Sequence, residues 1–147
     1  MDQRRLWRIL LATSIAALMM FALIASAGAG GRPLSATLTG AAEVPDPGDP
    51  DGSGFAKVTL NSGTGEVCFD ITVEDVEPIL AAHIHAAPAG VPGGIVVNFD
   101  VPNNGLSGCV TADRDLIKQI KKSPADYYVN VHNADFPAGA LRGQLGK

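Results

Sequence analysis

The sequence has no surplus of positive charge. Eleven Lys and Arg stand against fifteen Asp and Glu, a net charge of −4. Three of the basic residues, Arg4, Arg5 and Arg8, fall in the first eight positions beside one acid, Asp2, so the rest of the chain counts 8 basic against 14 acidic residues. Nucleic-acid binding needs a basic face that neutralises phosphates, and none is available, so nucleic acid is excluded as a partner. Cysteine is scarce. Its two copies form no Cys-x-x-Cys and no Cys/His zinc spacing. Other signatures are missing too. Gly105-Leu106-Ser107-Gly108 is not the Gly-x-Ser-x-Gly of a nucleophile elbow, and Gly90 to Gly94 lacks the Lys and Ser/Thr of a phosphate loop. No Asn-x-Ser/Thr acceptor occurs, and no internal repeat is visible. No nucleophile, base and orienting group stand together, so the sequence implies no enzyme.

What is present begins with an address. Arg4, Arg5 and Arg8 form a positive start, and Leu6 to Ile24 is apolar except for Arg8, Thr13 and Ser14. Ala25-Ser26-Ala27 and Ala27-Gly28-Ala29 both offer small-x-small cleavage, so residues 1–29 read as a signal peptide. A retained anchor is the alternative, because the uncharged stretch from Ile9 to Gly31 can span a bilayer core of about 30 Å. Either reading places the folded part outside the cytoplasm: secreted, periplasmic or at the cell surface. Membrane contact is expected only through this segment if it stays uncleaved. Cys68 and Cys109 both lie in the exported part, where an oxidising compartment favours one disulfide; two buried free thiols are the alternative.

Seventeen glycines and ten prolines punctuate the chain, which suits short strands and turns better than long helices. A hydrophobic share of 46% excludes a disordered chain. Alternating or apolar segments predict strands at Ser35–Thr39, Phe55–Leu60, Glu66–Val73, Ala81–His85, Ile95–Phe99, Asp126–His132 and Ala140–Leu145. Asn61 to Gly65 reads as a hairpin turn. Glu43 to Gly54, with three prolines, reads as a solvated acidic loop; Asp46, Asp49 and Asp51 could hold Ca²⁺, but the EF-hand pattern is interrupted. One helix is expected over Thr111–Lys122, capped by Thr111, with Leu116, Ile117 and Ile120 as its apolar stripe. Strands at this spacing with one short helix predict an all-β protein, an antiparallel Greek-key β-sandwich or barrel.

The three histidines all fall in strand segments. His83 and His85 are two apart and share a face, as do Tyr128, Asn130 and His132, and again Arg142 and Gln144. If these strands are neighbours, one surface collects His83, His85, Asn130, His132 and Arg142, while Ile84, Val129, Val131, Leu141 and Leu145 face the core. Two readings stay open. One is a polar network or ligand contact that fixes register. The other is a metal site on His83, His85 and His132, since three imidazoles suit Zn²⁺ or Cu²⁺. Metal binding needs neutral rings, so affinity is expected to fall below about pH 6.5. Arg142 would oppose a cation and favour an anion or carboxylate.

Four segments carry a family resemblance. They are Leu38-Thr39-Gly40-Ala41-Ala42-Glu43-Val44-Pro45, Ala81-Ala82-His83-Ile84-His85 with Gly90 following, Tyr128-Val129-Asn130-Val131-His132, and the closing Pro137-Ala138-Gly139-Ala140-Leu141-Arg142-Gly143-Gln144-Leu145. In this order they resemble the CHRD domain of the exported bacterial type, over residues 34–147. The resemblance implies an antiparallel β-sandwich of immunoglobulin-like or copper/zinc superoxide dismutase-like shape, with no catalytic activity. It points to a secreted or cell-surface module with a binding or structural role toward an unknown protein or surface ligand. Two positions depart from the family pattern: Ala86 follows the His-x-His where Gly is usual, and Leu141 replaces the acid before the final Arg. The second change leaves Arg142 without an evident partner. A fainter likeness to copper/zinc superoxide dismutase itself fails on the histidine count.

Overall fold

The computed structural model describes residues 33–147, with the signal-or-anchor segment over residues 1–29 lying outside them. Eight strands form in chain order: β1 (Leu34–Thr39), β2 (Ser53–Asn61), β3 (Glu66–Glu74), β4 (Ala81–Ala86), β5 (Gly94–Asn98), β6 (Ser107–Thr111), β7 (Tyr127–His132) and β8 (Leu141–Gln144). Alternation explains the first three. In β2, Ala56, Val58 and Leu60 are buried while Phe55 and Lys57 face out, and in β3 Val67, Phe69 and Ile71 turn inward. The turn between them is closed by Asn61, whose Oδ1 accepts from the Gly63 and Thr64 amides at 3.0 and 3.3 Å.

The strands pair as one antiparallel sheet in the order β5-β4-β7-β8-β1-β2-β3-β6. The expected all-β antiparallel architecture is thus present, as one continuous eight-stranded sheet. The sheet curls toward a barrel: Phe99, just after β5, stacks on Phe69 of β3 with ring centroids 4.3 Å apart. Inside lie Leu38, Val58, Val67, Ile84, Val129, Val131, Leu141 and Leu145, all at most 1% exposed. The faces assigned from alternation along β4, β7 and β8 hold. Gly143 in β8 admits no side chain, because a Cβ there would meet the Thr37 carbonyl oxygen of β1 at 2.1 Å.

Among the described residues two α-helices complete the fold, α1 (Val101–Asn104) and α2 (Arg114–Lys122), one more than the single helix expected, with short 3-10 turns at Gly40–Ala42 and Pro124–Asp126. Helix α2 packs on β2 and inserts Ile117 and Ile120, both fully buried, with Leu116 half-buried beside them. Burial of this size contributes roughly 1.5–3 kcal/mol per side chain. Its cap is Asp113, which accepts from the Asp115 and Leu116 amides at 2.9 Å, and not Thr111. Thr111 is instead the last residue of β6, paired with Glu66. Strand β6 itself has no periodicity to announce it; pairing with β3 decides it. Cys68 and Cys109 stand opposite each other across that pairing and are joined in a disulfide, which removes the free-thiol alternative. The acidic loop also differs from expectation. Asp49 is buried and accepts from the Gly52 amide at 3.1 Å, and Glu43 is buried as well, while Asp46 and Asp51 stay exposed.

Candidate metal centre

The pairing of β4 with β7 and of β7 with β8 assembles the polar face. His83 lies opposite Asn130, which lies opposite Arg142; His85 lies opposite Tyr128, which lies opposite Gln144. The core side chains between them hold the strands down, so this second face points outward. It is nevertheless covered. The loop from Ala87 to Gly93 lies over one end and the loop from Asn133 to Gly139 over the other, and both are tied down through backbone groups.

These ties fix the histidine tautomers. His85 Nδ1 lies 2.9 Å from the Gly93 carbonyl oxygen, and His132 Nδ1 lies 3.1 Å from that of Pro137. A carbonyl only accepts, so both Nδ1 atoms carry the proton and both Nε2 atoms carry a lone pair. His83 Nδ1 then donates to His132 Nε2 at 3.2 Å. His85 Nε2 is buried and has no hydrogen-bond partner. One nitrogen from each of the three rings lies within 4.8 Å of the others. The three imidazoles named from spacing therefore converge.

Burial also keeps them neutral. Desolvation, helped by the charges of His132 and His85, pushes His83 down to about 4. His85 and His132 are likewise lowered by desolvation, against the raising effect of their carbonyl hydrogen bonds. Protonation of the three rings therefore sets in below the ordinary imidazole value of about 6.5.

Asn130 and Arg142 share the face but take hydrogen-bond partners other than the imidazoles. Arg142 is 1% exposed, and its Nη2 donates to the Pro88 and Val91 carbonyls at 3.0 Å and to Gln144 Oε1 at 3.1 Å. Its guanidinium lies 3.5 Å from the centre of the Tyr128 ring. Tyr128 in turn stacks on His85 with centroids 4.8 Å apart and planes 10° apart, and its hydroxyl accepts from the Gly93 amide. Strand order β4-β7-β8 places Tyr128 between the imidazole and the guanidinium. The loop carbonyls, rather than an acid beside it in sequence, are the partners of Arg142.

Asn130 Nδ2 donates to Glu43 Oε1. Glu43 is 7% exposed, and Gly139 leaves it room, since a Cβ there would meet the Glu43 carboxyl carbon at 2.6 Å. Burial raises the Glu43 carboxyl to about 7, outweighing the nearby Arg142 charge and the Asn130 hydrogen bond. Glu43 was not among the site residues expected from sequence. Its signal was faint: a lone acid enclosed by Ala41-Ala42 and Val44-Pro45. A second cluster, Glu66 with Cys68 and Cys109, has both sulfurs committed to the disulfide.

A family model described as the CHRD domain matches residues 34–145, a stretch that takes in all eight strands. No curated protein and no solved structure matches.

Proposed function

The chain belongs to the CHRD domain family, and from that premise we propose that it is an exported binding module whose ligand is a transition-metal ion, Zn²⁺ or Cu²⁺, held by His83, His85 and His132. One observation carries the reading. The Nδ1–H groups of His85 and His132 are fixed by backbone carbonyls, which leaves the Nε2 lone pairs of both rings free of those ties, one of them buried and unpartnered, in a group where one nitrogen of each of the three rings lies within 4.8 Å of the others. A ligating histidine typically gives its other N–H to such an acceptor, which sets ring orientation and raises basicity. An unpartnered buried acceptor costs about 1–3 kcal/mol, and a metal bond would remove that cost. His83, with its proton on Nδ1, carries its own lone pair on Nε2; moving that proton to Nε2 instead frees Nδ1, the atom 3.2 Å from His132 Nε2, as the third donor. Imidazole donors suit zinc and copper alike. The positive start and apolar run of residues 1–29 support export, as does the disulfide. The role is binding, with no catalytic step assigned.

A second reading, the cluster as a structural polar network, draws on the hydrogen bond between His83 and His132 and on the loop carbonyls held by Arg142. Calorimetric titration of the purified full chain at pH 7.5 separates the two. One Zn²⁺ or Cu²⁺ per chain, bound at micromolar concentration and lost in His85→Ala, is the expected result. No binding at that level leaves only the network.

A further inference from the structure

We propose that the ion at this centre keeps one coordination position open on its outer side and fills it with an exchangeable anion, a small inorganic anion or a carboxylate. This rests on the metal reading and extends it to what the bound ion would hold. Three rings supply three donors, and Zn²⁺ or Cu²⁺ takes at least one more. Among the described residues no carboxylate or thiolate joins the three rings in the group. Asn130, opposite His83, has a buried Oδ1 without a hydrogen-bond partner, but an amide oxygen is neutral and cancels no charge.

Charge then selects the class of ligand. Imidazoles and amides leave the full double charge on the ion. The guanidinium of Arg142, 1% exposed on the far side of Tyr128, adds another positive charge in the same poorly hydrated region. Glu43, a buried carboxyl group that accepts from Asn130 and feels the Arg142 charge, lies outside the histidine group. A dication with no anionic ligand, in a site also under the field of the Arg142 guanidinium, attracts an anion; a neutral donor gains nothing from that field. Direction follows from burial: His85 sits beneath the Ala87–Gly93 loop, whereas His83 and His132 are half-buried, so the approach is past the outer two rings.

The test uses the full chain loaded with Cu²⁺ and desalted. Elemental analysis comes first: copper retained one per chain, and lost in His85→Ala, checks the metal reading alone. Failure at that step ends both proposals and is seen before any anion is added. Sodium azide, sodium acetate and, as a neutral control, imidazole are then titrated at fixed pH. The expected result is a saturable azide-to-copper charge-transfer band at one azide per copper. Acetate should compete with it, and imidazole should act only at higher concentration than azide. An electron paramagnetic resonance spectrum unmoved by both anions would overturn the proposal with the metal reading intact. So would imidazole binding more tightly than azide, or azide releasing copper into the filtrate.

Discussion

Replacing Glu43 by Gln should stabilise the protein at pH 8 and leave it nearly unchanged at pH 4.5. The carboxyl moves from an ordinary value of 4.5 to about 7 on folding, chiefly because burial strips water from its charged form. The sign follows from linkage. Between those two values the folded chain holds a proton that the unfolded chain has released, so this group's contribution is full below pH 4.5 and is lost as pH rises through 7. At about 1.4 kcal/mol per unit, the loss approaches roughly 3 kcal/mol above pH 7. Gln keeps an oxygen for the Asn130 amide and never ionises, so it escapes that loss. The attraction of the Glu43 carboxylate for Arg142 is the smaller of the two opposing effects and is already contained in that net shift. The three imidazoles titrate with opposite sign in an overlapping window, because their values are lowered on folding. They are common to both proteins, so the difference between the two stabilities isolates Glu43. Urea unfolding of wild type and Glu43→Gln at intervals from pH 4.5 to 8, with equal slopes, measures it. A difference that is flat with pH refutes the reasoning, and a Gln variant that loses stability relative to wild type between pH 4.5 and pH 8 shows that the attraction to Arg142 outweighs desolvation.

Two other consequences are open to measurement. The Cys68–Cys109 bridge closes a separation of 41 residues, so reduction or the double Ser variant should lower stability by about 4 kcal/mol in the chain-entropy model; an unchanged urea midpoint on reduction would contradict this. Arg142→Met keeps most of the buried volume but removes the donors to Pro88, Val91 and Gln144. Amide exchange should quicken in the Ala87–Gly93 loop while β1 to β3 stay protected, and uniform acceleration throughout the sheet would show a global role instead.

How much of this was legible follows from which forces act locally. A period of two was enough to assign the faces of β4, β7 and β8, because alternate side chains must project to opposite sides of a pleat. The face of each of His83, His85, Asn130, His132 and Arg142 within its own strand was therefore readable, and the pairing of β4 with β7 and of β7 with β8 met the condition for gathering them on one surface. Signals with no period were missed. Strand β6 holds Ser107-Gly108-Cys109 in its first three positions, and only its ladder with β3 makes it a strand. That same ladder took Thr111 from the helix and gave the cap to Asp113.

The amino-acid sequence alone thus determined seven of the eight strands, the sharing of faces and the choice of which cysteines could pair, since each depends on neighbours a few positions away or on there being no other candidate. Tertiary structure decided what the polar side chains actually touch. Glu43 reaches Asn130 across 87 positions, and Arg142 turns to loop carbonyls over Tyr128. The tautomers of His85 and His132 depend on two carbonyls that only the closed loops bring near. Hydrogen bonds act over about 3 Å, and no local period in a chain encodes which distant atoms will come that close.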